Sequence, residues 1–378
     1  MKIFNHQIFL RSPAKYDIVI FDEENSHYIS NYILHGIPTF TYNMRPPNYY
    51  VSFSIFYNFI KTLSNFNWNV IKKRKKIRAF VKELLRHYHL GCLQFTNPKV
   101  IITFIDNSSE YHWLCKKYKD VHFFAIQNGN RTNGQLEKTI MQYHKHFYCF
   151  GNYDRDRYAR FDHHGDFFHP IGSLLGGYYK YNYGNDFVIK KYDISIVSQY
   201  KIQPLLLAQE DDNLMRISID KTNSFLSKYI KKYGLRAAVF SRKNSKYWVS
   251  NEYHKKYYAD SVEYINNENK SISSTYRGMD ESEIIISFNS TATIEAFGWG
   301  KKILHCDFTG TKKYNDYDPM IMFTEPNYES FKKRLNELRS EPYDEYRERT
   351  REYVSYLMNN DPDCPPHKYI RKRIEGFL

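Results

Sequence analysis

The chain has 378 residues, of which 42% are apolar and 25% are charged. This composition is typical of globular proteins and argues against a disordered chain or a coiled coil. At about 150 residues per domain, the length predicts two domains. Lysine and arginine total 55 and aspartate and glutamate total 41, which gives a net charge of +14. We therefore expect an anionic partner, either a nucleic acid, a phosphorylated small molecule or an acidic membrane surface.

The cysteines and the apolar runs indicate the cellular compartment of the protein. The five cysteines form no Cys-x-x-Cys pair, so neither a zinc ribbon nor a disulfide framework is predicted, and a reducing compartment is favoured. No stretch approaches the roughly 18 apolar residues that span a bilayer. The first apolar run is interrupted by Asn5, His6 and Gln7 and makes a poor signal-peptide core. A cytoplasmic protein is expected, with at most peripheral contact at the inner face of a membrane.

The first half of the chain alternates short apolar runs with helical segments. Predicted strands occupy residues 16–21, 99–105 and 121–126, and predicted helices occupy residues 28–34 and 110–118. Strands that lead through polar caps into helices are typical of a parallel α/β sheet. In such sheets the ligand lies at the carboxyl ends of the strands. Asp22, Asp106 and Gln127 lie at such ends.

Residues 66–86 carry a basic run from Lys72 to Arg78, followed by apolar residues at helical spacing. This pattern predicts a basic amphipathic helix. Such a helix is either a solvated face, a patch that contacts an anionic membrane, or a nucleic-acid contact.

The second half repeats the alternation of strands and helices. Predicted strands occupy residues 192–197, 236–240, 283–286 and 302–305, and predicted helices occupy residues 214–232 and 292–297. Residues 171–186 are rich in Gly, Tyr and Asn and are predicted to join two domains. The expected division is a first domain at 1–172, a second at 173–345, and a helical segment at 346–378 that packs back on the first domain.

The strongest local signal for chemistry spans residues 287–298. A strand delivers the polar side chains of Ser287, Asn289, Ser290 and Thr291 to the first turn of a helix, where unpaired N–H groups and the helix dipole suit a phosphate. Glu295, one turn further on, is predicted to accept hydrogen bonds from ribose hydroxyls. The alternative is an ordinary helix cap with Glu295 facing water.

A second polar segment follows the predicted strand at 192–197. Ser198, Gln199 and Lys201 are expected to face the same crevice and to contribute to the same phosphate site. Neither a Walker loop nor a dinucleotide fingerprint is present. No Asp-x-Asp motif occurs at a strand end, and a metal is not predicted. His163, His164 and His169 are close in sequence but are expected to lie in a loop, without the spacing of a zinc site.

The first domain supplies the candidate catalytic groups. Asp106 is the first choice as acid, base or nucleophile, with Asp22 or Glu23 second, since a carboxylate at a strand end can approach a bound sugar. The alternative is that Asp106 only caps the following helix. Side chains suited to binding the donor sugar or the acceptor are those of Asn107, Gln127, Asn128 and Arg131.

These segments together resemble the GT-B glycosyltransferases. More narrowly, residues 102–107, 125–129, 171–173, 197–199 and 287–298 are similar to segments of bacterial surface-carbohydrate biosynthesis proteins. Those proteins are similar in turn to capsule and lipopolysaccharide enzymes that use CMP-activated ulosonic sugars, including retaining β-Kdo transferases. The resemblance implies two Rossmann-like domains whose parallel sheets face a central cleft, with the donor held by the second domain, the acceptor by the first, and a C-terminal helix crossing back.

The function that the resemblance implies is transfer of a sugar from a nucleotide donor to a bacterial surface glycan or glycolipid. The expected donor is a CMP-linked ulosonic sugar such as Kdo or a sialic-acid-like sugar, and no cofactor or metal is expected. Whether the reaction retains or inverts the anomeric configuration stays open. The alternatives on the same fold are a UDP-sugar transferase, an epimerase and a polyol-phosphate transferase. A basic nucleic-acid-binding protein is disfavoured because no recognition motif is present.

Overall fold

The computed structural model describes residues 2–3, 6–44, 48–69, 76–139, 141–184, 188–200, 210–241, 247–265, 273–314 and 316–378. The strands of the first half are β1 (Lys2–Ile3), β2 (His6–Phe9), β3 (Ile18–Phe21), β4 (Phe40–Tyr42), β5 (Asn48–Tyr50), β6 (Val100–Thr103), β7 (His122–Ile126), β8 (Tyr143–Cys149) and β9 (His164–Pro170). Six of them form a parallel sheet in the order β4-β3-β6-β7-β8-β9, and β1, β2 and β5 form a small separate sheet. All four residues of β3 and of β6 are buried, as expected for central strands of a sheet covered on both faces.

Helices cover both faces of this first sheet. They are α1 (Ser26–Tyr28), which continues as a π-helical turn at Ile29–Ile33, α2 (Phe53–Thr62) with a 3₁₀ turn at Leu63–Asn65, α3 (Lys76–Thr96), α4 (Ser109–Lys117), α5 (Asn133–Lys138), α6 (Asn152–Arg160) and α7 (Leu174–Tyr183). At α4 and α5, the side chain of the N-cap residue stabilises the start of the helix. Ser108 caps α4 by accepting from Tyr111 N, and Thr132 forms a capping box with Gln135 at α5.

The second half forms a second parallel sheet. Its strands are β10 (Tyr192–Val197), β11 (Ala237–Phe240), β12 (Glu263–Ile265), β13 (Ser282–Ser287), β14 (Lys302–Cys306) and β15 (Met322–Phe323), in the order β12-β11-β10-β13-β14-β15. The remaining helices are α8 (Glu210–Tyr233), α9 (Tyr247–Tyr258), α10 (Ser273–Asp280), α11 (Thr291–Gly298), α12 (Tyr328–Ser340), α13 (Tyr343–Leu357) and α14 (Pro366–Glu375). The predicted fold of two parallel α/β domains is confirmed.

The last helix, α14, returns to the first sheet. Ile370 and Ile374 are fully buried in the same apolar cluster as Ile18 of β3 and Ile102 of β6. The Arg371 guanidinium, on the same helix, donates to the carbonyl oxygen of His35 at 3.0 Å. The chain therefore ends on the domain in which it begins.

The Gly-rich segment between the sheets contains helix α7, and its glycines allow close packing: a Cβ at Gly177 would lie 2.6 Å from Pro366 Cδ of α14. One local prediction is wrong, since His164 and His169 lie on strand β9 and not in a loop.

The basic segment also differs from its prediction. Helix α3 begins at Lys76 and continues to Thr96, well beyond the predicted end at residue 86. Most of the run from Lys72 to Arg78 lies at residues 70–75, outside the described residues. Within the described ranges, no helix is both long enough and apolar enough to cross a membrane.

Candidate active site between the two sheets

A cleft of about 660 Å³ lies between the two domains. Both sheets direct loops from the carboxyl ends of their strands into it, which is where α/β proteins bind ligands. The first domain contributes the loop after β7 and the start of α5. The second contributes the start of α11, Gln199 after β10, and the loop before β15. The lining residues are Asn25, Asn128, Gly129, Asn130, Arg131, Thr132, Gly134, Gln135, Lys138, Thr139, Gln199, Met215, Asn289, Thr291, Lys313 and Tyr314.

Among the described residues, the charged side chains that line the cleft are all cationic. Arg131, Lys138 and Lys313 line it, while no aspartate, glutamate or histidine lines it among the described residues. The other lining groups are mainly amides, hydroxyls and backbone. Cations in a partly enclosed space concentrate anionic ligands, so this lining suits a phosphorylated small molecule.

The start of helix α11 lies in the cleft, as predicted for a phosphate site. Its N-cap residue, Ser290, makes no side-chain cap hydrogen bond, and the first N–H groups of a helix have no partner within the helix. Thr291 Oγ1 accepts from Asn130 N at 2.9 Å, and Asn289 Oδ1 accepts from Asn130 Nδ2 at 3.3 Å. The helix start therefore contacts the first domain across the cleft.

Asn130 is a site residue that the sequence interpretation did not single out. Besides Thr291 and Asn289, it contacts Tyr317 and Arg157: its Nδ2 donates to Tyr317 OH at 2.5 Å, and its Oδ1 accepts from Arg157 Nη2 at 3.0 Å. Arg157 is itself buried and paired with Asp154 at 3.1 Å. Asn130 is thereby held from both domains, at the point where they meet.

The far side of the cleft is closed by backbone hydrogen bonds. Gly134 N donates to Lys313 O at 2.7 Å, and Asn133 N donates to Tyr314 O at 3.2 Å. The first turn of α5 is thus satisfied by carbonyls of the second domain. Lys138 of the first domain and Lys313 of the second thus line the same cleft.

Asp106 does not line the cleft, contrary to the prediction that it faces a bound sugar. It is fully buried, and its Oδ1 accepts from Arg131 Nη2 at 2.5 Å and from Asn128 N at 3.4 Å. Burial raises the pKa of Asp106, and the Arg131 guanidinium opposes that rise. In this arrangement Asp106 holds Arg131 and does not reach a substrate directly.

The other first-domain candidates divide into lining and non-lining residues. Asn128 and Arg131 line the cleft as predicted. Gln127 is buried and is not among the lining residues, and its Oε1 accepts from Phe150 N at 3.0 Å, so it stabilises the loop. Asn107 is exposed but is not among the lining residues.

The two alternative carboxylates follow strand β3. Asp22 is buried, with a positive φ of 73° and its backbone N–H donating to Tyr42 O. Glu23 is exposed, and its Oε2 accepts from Asn43 Nδ2 at 2.9 Å. The Glu23 carboxylate therefore lies toward β4, while Asn25 two residues later lines the cleft. Of the three predicted carboxylates, Glu23 is the one exposed to solvent.

The serines of the predicted phosphate site point inward. Ser198 Oγ is 2.7 Å from His254 Nε2, and Ser287 Oγ is 3.2 Å from His305 Nδ1. Both serines and Ser290 are at most 5% exposed. Gln199, Asn289 and Thr291 are the members of this predicted set that line the cleft. Lys201 lies outside the described residues.

Glu295, predicted to contact a ribose, is buried and is not among the residues that line the cleft. Its Oε1 accepts a hydrogen bond from Ser173 Oγ at the start of α7, and its Oε2 accepts from Tyr276 OH at 2.8 Å. Burial raises the pKa of Glu295, and these two donors oppose the rise. Glu295 therefore connects α11 to α7 and α10.

The sequence contains a pattern that could have identified Lys313, the lysine of the second domain that lines the cleft. Residues 307–313, Asp-Phe-Thr-Gly-Thr-Lys-Lys, follow strand β14 with a glycine and two hydroxyl residues before two lysines. Such a loop at a strand end is a natural anion contact. Lys138, at the end of α5, had no comparable signal because a lysine in a last helical turn is ordinarily a surface residue.

Histidines are not arranged as a metal site in the structure. His163 Nδ1 accepts from Gln142 N at 2.9 Å, and its Nε2 lies 3.0 Å from Leu136 O. Across the described part of the chain, no group of three or more His, Cys, Asp or Glu residues is placed to hold a metal ion.

Comparison with known proteins establishes the fold. No protein-family model and no curated protein matches the sequence. Solved structures do match over nearly the whole chain. S. aureus MnaA with UDP is 11% identical, with a TM-score of 0.52 over 100% of this chain and 97% of that chain. A putative UDP-N-acetylglucosamine 2-epimerase from Listeria monocytogenes is 9% identical, with a TM-score of 0.53 over 96% of this chain and 95% of that chain.

A third match is the wall teichoic acid polymerase TagF with CDPG. It is 11% identical, with a TM-score of 0.51 over 96% of this chain and 89% of that chain. At these identities the likeness concerns the fold. The chain therefore has the GT-B-like arrangement of two Rossmann-type domains that its sequence predicted.

Proposed function

We propose that the protein is a glycosyltransferase of the GT-B type that binds a nucleotide-activated sugar in the cleft between its domains. The observation that carries this proposal is the lining itself. The carboxyl ends of both sheets meet around a space of about 660 Å³ whose charged lining residues are all cationic. A nucleotide sugar is an elongated anion of matching charge, and clefts of several hundred Å³ at this position of α/β folds accommodate such ligands.

The phosphate is proposed to bind at the start of α11. There the helix dipole, the first-turn N–H groups and Thr291 Oγ1 combine with Arg131, Lys138 and Lys313 from the lining. A phosphate oxygen bound at Thr291 accepts a hydrogen bond from the Thr291 hydroxyl, whose oxygen can still accept from Asn130 N. Donor binding would then add a contact through the ligand to the existing contact between the domains.

Catalysis is proposed to depend on charge placed around the leaving phosphate. Arg131 stabilises the negative charge that develops as the glycosidic bond to the phosphate breaks, and Asp106 keeps the guanidinium in position. The chain's own cations supply the charge that a divalent metal supplies in other transferases.

The donor is proposed, on the sequence resemblance, to be a CMP-linked ulosonic sugar, and the acceptor a surface glycan or glycolipid. A second candidate is a UDP-sugar epimerase or a polyol-phosphate transferase on the same fold. It is favoured by the names of the matching structures, since MnaA is bound to UDP and TagF carries CDPG. The same phosphate subsite serves each of these ligands.

A thermal-shift experiment tests the phosphate subsite. CMP, CDP and UDP are added to the wild type, Thr291→Val and Thr293→Val. The two threonines lie on the same helix, but Thr293 is fully buried, its hydroxyl has no hydrogen-bond partner, and it does not line the cleft. We expect Thr291→Val to lose at least half of the stabilisation by the best nucleotide and Thr293→Val to retain it. Absence of stabilisation by all three nucleotides contradicts the proposal.

Product analysis separates the candidate reactions. Incubation with a radiolabelled CMP-sugar and a glycan acceptor should move label to the acceptor in the favoured case. Conversion of UDP-N-acetylglucosamine to a second UDP-sugar supports the epimerase instead, and label transfer from a CDP-polyol supports the polyol-phosphate transferase. The nucleotide that stabilises most in the thermal-shift panel decides which donor is tried first.

A further inference from the structure

We propose that helix α2 docks the protein on an anionic lipid surface. Four large apolar or aromatic side chains of this helix face solvent: Phe53 is 85% exposed, Phe56 60%, Tyr57 54% and Ile60 48%. They are spaced i, i+3, i+4 and i+7, which places them on one face of the helix. A soluble helix ordinarily turns such a face toward the core, so this face is available to a partner.

The opposite face of α2 is already used for packing on α3. Ile55 is buried, and Thr62 Oγ1 donates to His87 O of α3 at 3.1 Å. The helices are so close that a Cβ at Gly91 would lie 2.8 Å from Phe59 N. Helices α2 and α3 thus form a packed helical hairpin. Because α3 contacts the inner face of α2, the outer face can turn toward the core only if the packing between the two helices is lost.

The charge of residues 51–96 indicates which kind of partner the exposed face of α2 binds. Residues 51–96 contain nine lysines and arginines and one acidic residue, Glu83. Glu83 is buried, whereas Lys61 and Arg78 are exposed, and Lys61 Nζ lies 4.4 Å from the centre of the Tyr57 ring. Exposed aromatic and apolar side chains next to lysine and arginine are the composition of helices that lie in the headgroup region of anionic membranes.

Helix α3 repeats the combination of apolar and cationic side chains. Ile77, Val81 and Leu85, spaced by four residues, line a groove of about 550 Å³. Its charged lining residues are Arg78, Lys82, Arg86 and Glu110, of which Glu110 pairs with Lys82 at 2.9 Å, so the groove keeps an excess of cations. Each of the three apolar residues is more than a third exposed. The α2–α3 hairpin thus exposes apolar surface from both of its helices, with cations beside it.

A second copy of the chain fits this face less well than lipid does. In a two-fold symmetric dimer the same surface patch meets itself, so exposed cations such as Lys61 and Arg78 would be brought against those of the second copy. Like charges facing each other across an interface are unfavourable. A surface of phosphatidylglycerol presents the opposite charge and accepts the aromatic rings among its headgroups.

The test is co-sedimentation of the full chain with vesicles. Vesicles of phosphatidylcholine alone are compared with vesicles containing about one third phosphatidylglycerol. We expect binding to the anionic vesicles to be at least about tenfold tighter than to the neutral ones. The triple variant Phe53→Ser/Phe56→Ser/Ile60→Ser should weaken that binding about tenfold or more, because it removes the inserted side chains. These residues are exposed, so the variant should keep the melting temperature of the wild type.

Ile189→Ser is the matched control, since Ile189 is 74% exposed and lies outside the hairpin. It should bind vesicles as the wild type does. The proposal is overturned if the wild type does not bind anionic vesicles or if the triple variant binds them equally well. It is also overturned if the wild type forms a dimer that the triple variant abolishes, or if it binds a duplex oligonucleotide in place of vesicles.

Discussion

Arg131 can present its charge to the cleft because Asp106 compensates that charge from the protein interior. Asp106 is fully buried, and the Arg131 side chain is 15% exposed. Arg131 Nη2 also donates to Asn128 Oδ1 at 2.7 Å, so one guanidinium joins Asn128, in the loop after β7, to Asp106, which follows β6. A buried carboxylate is costly once its cationic partner is removed. The pair therefore determines both the shape of the loop and its charge.

A double-mutant cycle tests this pairing. Asp106→Asn and Arg131→Met should each lower the free energy of unfolding by about 3 kcal/mol, since each leaves a buried charge without its partner. The double variant should lose less than the sum, with a coupling of about 1–3 kcal/mol. Urea unfolding of the four proteins measures the cycle. Additive losses would mean that Asp106 does not hold Arg131.

At the scale of elements, the two domains are joined by close packing at glycine. Gly151 is the N-cap of α6 in the first domain, and its neighbours are the last residues of α13. A Cβ there would lie 2.2 Å from Tyr356 O and 2.6 Å from Leu357 C. Its φ of −157° is extended backbone, open to any residue, so the need for glycine is one of space.

Gly151→Ala should therefore destabilise the protein by forcing α6 and α13 apart. We expect the melting temperature to fall by about 1–4 °C, as overpacking in a fixed interface costs roughly 1–3 kcal/mol. Gly376→Ala is the control, because a Cβ at Gly376 has 3.5 Å to its nearest neighbour. The two melting temperatures are compared by calorimetry. Equal melting temperatures would show that the α6–α13 contact yields without cost.

For the whole molecule, the sequence predicted what local patterns determine. Strand β10 was predicted with its observed bounds, because its apolar run is buried and ends at a polar turn. Strand β8 was missed because histidine and lysine interrupt its apolar pattern. The His144 ring packs against the Phe147 ring of the same strand and the Tyr158 ring of α6, and the second of these contacts depends on the folded structure. The position of Asp106 beneath Arg131, and of Glu295 against Ser173, depends on contacts between separate segments that no local pattern encodes.

Buried histidines should make the whole molecule sensitive to acid. Burial lowers the pKa to about 4 for each of His89, His112, His146, His169, His254, His305 and His367. In the unfolded chain their pKa is near 6.5. Between these values the unfolded state binds more protons than the folded state, so stability falls as pH falls. The effect begins near pH 6.5 and ends near pH 4.

The melting temperature should accordingly decrease from pH 7 to pH 4.5, and replacing one of these histidines should reduce the slope. His254→Asn is the variant of choice: the ring is held by a hydrogen bond to Ser198, and asparagine keeps a polar partner there without titrating. His35→Asn is the control because His35 is exposed, and it should keep the wild-type slope. The raised pKa values of Asp106, Asp154, Glu295 and Asp307 act in the opposite direction, stabilising the fold as pH falls toward 4.5, but these are four carboxyls against seven imidazoles. A melting temperature that stays level or rises on acidification would show that these histidines are solvated in solution.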